Sequence, residues 1–135
     1  MKRFFSALTL SVLILSLLTA AAPLPDTTFT LVQGLPATIN VGEVYTVTIL
    51  VESDQEFTSA TALPSFQYPG KGVVALQGGD RTGRGTSATL EVTFKAKSAT
   101  SRMENGVAPV HVVVGVRYGG GYVAVQDFVF YVRVP

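Results

Sequence analysis

His111 is the only histidine in the chain and the first place to look for chemistry, since an imidazole can move protons or ligate a metal. A catalytic base needs a nucleophile on one side and a third group to orient it on the other. The sequence beside His111 supplies only Val, Gly and Arg117, so a solvent-facing histidine is expected. Met103 would add one soft ligand for copper, and two ligands do not make a site. The absence of Cys removes any thiol nucleophile, Cys-ligated zinc or iron–sulfur centre, disulfide or lipidated N-terminal cysteine. No pair of carboxylates, nucleophile–base set or metal constellation stands out, so neither catalysis nor a cofactor is expected.

Three polar or aromatic groupings remain. Glu52, Asp54 and Glu56 alternate along one stretch. They are oxygen ligands for calcium only if other groups bring the total to about six to eight, and no D-x-D-x-D-G loop occurs. A solvated loop is the simpler reading. Gly78-Gly79-Asp80-Arg81-Thr82-Gly83-Arg84-Gly85 combines glycine amides with Arg81 and Arg84, a composition able to cradle phosphate or a sulfated glycan. It lacks the Lys-Ser/Thr ending and following helix of a P-loop, and reads equally as a flexible connection between sheets. Tyr118-Gly119-Gly120-Gly121-Tyr122 places two aromatic rings at a hairpin tip. Tyr118 and Tyr122 there either stack on a sugar or partner, or stabilise the hairpin across its strands.

The segments that would hold these residues read as strands. Over 45–51, Tyr45, Val47, Ile49 and Val51 share one parity; over 86–97, Ala88, Leu90, Val92, Phe94 and Ala96 do so against Thr, Glu and Lys. Val110, Val112, Val114, Val116 and Tyr118 form a third apolar face opposite His111, Val113, Gly115 and Arg117. Such alternation belongs to antiparallel sheets with one buried and one wet face. Near the C-terminus Val123 and Val125 take one parity, and Phe128, Phe130, Val132 and Val134 the other. A β-bulge near Gln126 and Asp127 would reconcile them, and a mixed face is the alternative. Gly- and Pro-containing punctuation gives strands over 28–33, 37–40, 44–52, 59–67, 72–77, 86–97, 107–118 and 121–134. Leu50, Val113, Val129 and Tyr131 fall on nominally wet faces. If they gather on one sheet, they mark a contact surface for a partner or another copy.

The first 21 residues differ from the rest. Lys2 and Arg3 precede an apolar run, and Thr19-Ala20-Ala21-Ala22-Pro23 offers a cleavage site after Ala21. Residues 1–21 are expected to be a signal peptide, or an uncleaved membrane anchor, since 19 apolar-rich residues just span the hydrocarbon core. Only an uncleaved segment would give the protein a membrane contact. Residues 22–135 then form one domain of 114 residues. Without Lys2 and Arg3, Lys and Arg total 8 against 9 Asp and Glu, a charge of −1, so the slight basicity of the whole chain belongs to the leader. Neither nucleic acid nor an anionic surface is an expected partner.

Val41-Gly42-Glu43-Val44-Tyr45-Thr46-Val47-Thr48-Ile49 resembles the "VGE-x-x-T-V-T" lead-in to strand B of bacterial immunoglobulin-like and adhesion-related domains. Gly85-Thr86-Ser87-Ala88-Thr89-Leu90-Glu91-Val92-Thr93-Phe94 resembles their strand E. The two phrases cover 19 of the 114 residues 22–135; the Cys pair and strand C Trp of antibody domains are absent, as is a tyrosine corner. The resemblance implies an all-β, immunoglobulin-like antiparallel β-sandwich of about seven or eight strands and a surface or envelope interaction module. The expected function is non-catalytic contact with another envelope protein outside the cytoplasm. Alternatives are self-assembly as a subunit of a fibre, pilus or surface layer, and carbohydrate or ion binding.

Overall fold

A computed structural model describes residues 23–65, 74–78 and 80–135; the expected leader 1–21 and the turn Tyr68-Pro69-Gly70-Lys71-Gly72 lie outside the described residues. Among the described residues seven strands run in chain order: β1 (Thr27–Gln33), β2 (Val44–Ser65), β3 (Val74–Gly78), β4 (Asp80–Thr82), β5 (Gly85–Ala96), β6 (Ala108–Tyr118) and β7 (Val123–Val132). Every strand pair is antiparallel. Among the described residues no helix is long and apolar enough to cross a membrane.

The expected strands 44–52 and 59–67 are a single strand of 22 residues, and it organises the fold. Through Glu52, β2 lies between β1 and β5; from Phe57 onward it lies between β4 and β6. Between those stretches five steps along β2, from Glu52 to Phe57, are matched by two along β5, from Ser87 to Gly85. The strand therefore leaves one sheet and enters another. An extra residue at Thr58, between the pairs Phe57–Tyr118 and Ser59–Arg117, then switches its parity. Val47, Ile49, Val51 and Phe57 are buried before the switch, Ala60 and Ala62 after it. The layers are β1–β2–β5–β3 and β4–β2–β6–β7. This is the immunoglobulin-like arrangement, with β2 serving as both B and C strands and β4 as an added edge strand beside C.

The inner faces meet in one apolar cluster. Leu90, Val92 and Phe94 of β5 and Val110, Val112, Val114 and Val116 of β6 are buried on the parity that their alternation predicts. Each such side chain contributes about 1.5–3 kcal/mol by leaving water, and with no disulfide or metal-binding Cys this packing carries the stability.

β7 departs from the bulged expectation. Its register with β6 runs unbroken from Arg117–Val123 to Ala108–Val132. Phe128, Phe130 and Val132 must then share the inner face with Ala124, and Val123 and Val125 are turned to solvent, so the strand has a mixed outer face. Segment 37–40 is reduced to one parallel bridge between Thr38 and Arg133. The chain reaches it from β1 over Phe130, and Gly34 makes that crossing possible: a Cβ there would lie 2.8 Å from the Phe130 ring. Where a flexible 78–85 connection is one reading, Asp80 accepts the N–H groups of Arg81 (2.8 Å) and Glu91 (2.9 Å) and seats the short strand β4.

The Val41-Gly42-Glu43 phrase makes a tight turn into β2, with Gly42 at φ +88° and its N–H donating to Ala96 O at 2.9 Å. The Tyr45 hydroxyl donates to the Glu43 carboxylate and accepts from the N–H of Asn40 at 3.1 Å. The bond to Glu43 raises the Tyr45 pKa above the ordinary tyrosine value; the Asn40 contact opposes it more weakly. With the folded value above the unfolded one, this bond supports the fold below about pH 10 and is lost as pH rises through the folded value. A difference absorbance titration against Tyr45→Phe should place Tyr45 above ordinary tyrosine, and Glu43→Gln should bring it down. An unchanged midpoint in Glu43→Gln would show that the carboxylate is not the cause.

Candidate interaction face

The outer face of β4–β2–β6–β7 carries the densest set of exposed apolar side chains on the described surface. Residues opposite one another in antiparallel strands point to the same face, so the register lays out rows: Thr61–Gly115–Val125, Leu63–Val113–Asp127, His111–Val129, Pro109–Tyr131 and Arg117–Val123. Leu63 (54%), Val123 (46%), Val125 (61%), Val129 (40%) and Tyr131 (67%) keep large fractions of their surface in water. One exposed valine is ordinary; five such residues on one sheet form a patch. Gly115 leaves a gap, because nothing lies within 4 Å of where its Cβ would be. Around it a shallow depression of about 250 Å³ is lined by Thr61, Leu63, Val113, Gly115, Arg117 and Val123. A second hollow of about 290 Å³ lies at the far end, against Glu104, Asn105, Val107, Pro109 and Tyr131.

His111 sits inside this face and is not alone: its Nδ1 lies 2.9 Å from Asp127 Oδ2, a carboxylate brought over by β7. The pair is an oriented imidazole, half of a catalytic arrangement. Among the described side chains no hydroxyl is bonded to its other nitrogen. Asp127 escapes a reading of the local sequence because its partner is 16 residues away.

Of the four apolar residues expected on wet faces, Val113, Val129 and Tyr131 are brought together here, while Leu50 is on the other sheet between Thr30 and Thr89. Leu63, Val123 and Val125 complete the face unanticipated. In 59–65 the small residues Ala60 and Ala62 face the core and the larger Leu63 faces out, the reverse of what residue size suggests.

The tyrosine pair separates. Tyr118 is buried; its ring meets Phe57 edge-on (centroids 6.5 Å apart, planes at 85°), and its hydroxyl lies 2.5 Å from Thr27 Oγ1 and 2.8 Å from Ser53 Oγ. It thus ties β6 of one sheet to β1 and β2 of the other, and only Tyr122, tilted against it at 5.7 Å, remains at the tip. Arg81 and Arg84 also diverge. Arg81 is exposed on β4 opposite Thr61, while Arg84 pairs with Glu56 at 3.3 Å, a solvent-exposed contact worth little energy. In the acidic stretch, Asp54 accepts the Asp26 N–H at 2.8 Å and Glu56 faces Arg84. Asp26, Thr28, Glu52, Ser53 and Asp54 line an open hollow of about 230 Å³. Among the described residues no three carboxylate or imidazole groups converge as metal ligands would.

No family model matches the chain, and no curated protein matches it. Solved structures give distant likenesses. One is native Escherichia coli alpha-2-macroglobulin (TM-score 0.46, 16% identity), where the match covers 85% of this chain and 7% of that one. Another is murine CRIg (TM-score 0.42, 9% identity), with 82% of this chain and 98% of that one covered. The fold assignment rests on the strand order and register described above.

Proposed function

We propose that the protein is an exported, non-catalytic immunoglobulin-like module of the cell envelope that works by protein–protein contact through the outer face of β4–β2–β6–β7. The observation that carries this reading is the gathering of Leu63, Val123, Val125, Val129 and Tyr131 on one sheet face, exposed around the His111–Asp127 pair. Core-facing residues of the same strands already satisfy the fold, so these five add apolar surface that folding leaves in water. The positive charges of Lys2 and Arg3, the apolar run after them and the small residues ending at Ala21 support export.

The test is crosslinking in the native envelope followed by mass spectrometry of the crosslinked species and of the mature N-terminus. Val129→Glu combined with Tyr131→Glu places two charges on the face without touching the core. Captured partner should fall by roughly tenfold or more, with the melting transition unchanged. Undiminished capture by a folded double variant rejects this face as the contact surface.

A further inference from the structure

Gly115 stands in the middle of β6 between Val114 and Val116, where a β-branched or aromatic residue would favour the strand. Three features ordinarily call for glycine inside a strand, and none is present here. Its φ is outside the left-handed region that favours glycine. It is not a bulge, because its pairs with Thr61 and Val125 fall in unbroken register. No neighbour crowds it, since nothing lies within 4 Å of where its Cβ would be. The fold therefore accepts a side chain at 115 and gains nothing internal from its absence. The remaining use of a strand glycine is to let another molecule come close to the backbone.

The surroundings of the gap define what fits it. Leu63, Val113 and Val123 make its walls apolar. Arg117 lies two positions along β6 on the same face, and Arg81 of β4 is opposite Thr61, which is itself opposite Gly115. Strand spacing and rise put the two arginine Cα atoms about 12 Å apart, on adjoining sides of the hollow. Both residues are exposed, and among the described residues neither guanidinium is paired with a carboxylate. The carboxylate of this face, Asp127, is bonded to His111. An apolar hollow is thus bordered by two unpaired positive charges. No aromatic ring lines it as a platform for a sugar.

We propose that the Gly115 hollow receives an apolar side chain of a partner protein, carried on a segment whose Asp or Glu side chains bond Arg81 and Arg117. This rests on the outer face being the contact surface, and adds the chemistry of the partner. With no Cβ at 115, the incoming side chain reaches the strand backbone and covers Leu63, Val113 and Val123 as it does so. A guanidinium holds a carboxylate through paired N–H donors, so two arginines select an acidic segment and repel a basic one. An acidic glycan would satisfy the arginines and leave the apolar walls in water.

The probe is a library of random short peptides displayed on phage and selected on the purified, immobilised protein. Enriched peptides should carry Asp or Glu close to Leu, Ile or Phe, and a resynthesised one should bind more weakly as salt is raised. Arg81→Glu combined with Arg117→Glu should weaken it by roughly tenfold or more. Gly115→Thr fills the hollow and should weaken it as much, while raising the melting temperature by a few degrees, because it replaces glycine by a strand former. A variant that is more stable and binds less cannot owe its loss to unfolding. Enrichment without acidic residues, full binding by Gly115→Thr, or no enriched peptide at all overturns the assignment. So does a heparin-derived oligosaccharide that binds wild type and Gly115→Thr alike, which would make the arginines a glycan site. Envelope crosslinking separates this from the broader reading. If capture falls with Val129→Glu and Tyr131→Glu and is untouched by Arg81→Glu and Arg117→Glu, the contact face stands and the Gly115 assignment fails; if neither pair changes it, the face itself fails.

Discussion

Phe57→Ala should cost about 3–5 kcal/mol of unfolding free energy, the range for removing a large aromatic ring from a well-packed core. The site makes the upper half of that range the expectation. Phe57 is 1% exposed and stands where β2 passes from one sheet to the other, paired with Gly85 on one side and Tyr118 on the other. Its ring meets the edge of Tyr118, whose hydroxyl reaches Thr27 and Ser53 in the opposite layer. Truncation leaves a cavity and removes the wall against which the Tyr118 ring rests, so two sheets lose a shared support. Urea unfolding followed by circular dichroism measures this directly, and Phe57→Leu, which refills much of the space, should lose about half as much or less. A loss below about 1 kcal/mol for Phe57→Ala would mean that the corner collapses without strain, and that β2 does not depend on a wedge to change sheets.

Thr100→Val should lose about 2–3 kcal/mol although the two side chains have nearly the same shape, because each buried polar group left unpaired costs about 1–3 kcal/mol. Thr100 is 1% exposed in the connection between β5 and β6. Its hydroxyl donates to Gly106 O at 2.7 Å, with a longer approach to Val134 O at 3.2 Å, and accepts the Val134 N–H at 2.9 Å. Its own N–H donates to Val134 O at 2.9 Å. One side chain therefore pins the connecting loop to the C-terminal segment that follows β7. Thr100→Ser retains the hydroxyl and gives up one methyl group, at about 0.8 kcal/mol. The midpoint of Thr100→Ser should lie much nearer to wild type than that of Thr100→Val; equal losses would assign the effect to packing rather than to hydrogen bonding.

Local alternation carried much of the core. Over 86–97 and 107–118 the apolar parity in the sequence is the buried parity in the structure, since a strand paired on both sides with one face on the core has no other way to place its side chains. The continuity of β2 was not legible. Glu52, Asp54 and Glu56 read as a loop because they are polar, yet they lie at a corner of a continuous strand, where solvent reaches the bend. The faces of β7 were ambiguous for a related reason: Val123 and Val125 are as apolar as core residues, and only the unbroken register with β6 assigns them to the outside. The candidate face was legible in part. Val113, Val129 and Tyr131 were visible as apolar residues on a wet parity, whereas grouping them with Leu63 depends on which strands are neighbours. Tyr118 has the composition of a loop-tip aromatic and the surroundings of a core residue, a distinction made by partners on β1 and β2 that are distant in the sequence.

By itself the sequence determined the material and the periods: strand-length runs alternating at two residues, enough aliphatic and aromatic side chains for one core, and no Cys for a disulfide, thiolate metal site or lipid. Those are properties of single residues and near neighbours, and the chemistry they exclude is excluded in any fold. The tertiary structure decided which strands lie side by side, and with that everything relational. It set the sheet change within β2, the approach of Asp127 to His111, the withdrawal of Tyr118, and the gathering of apolar residues onto one outer face. Strand order depends on closing long loops around a common core, and a short-range pattern compatible with several pairings does not contain that information.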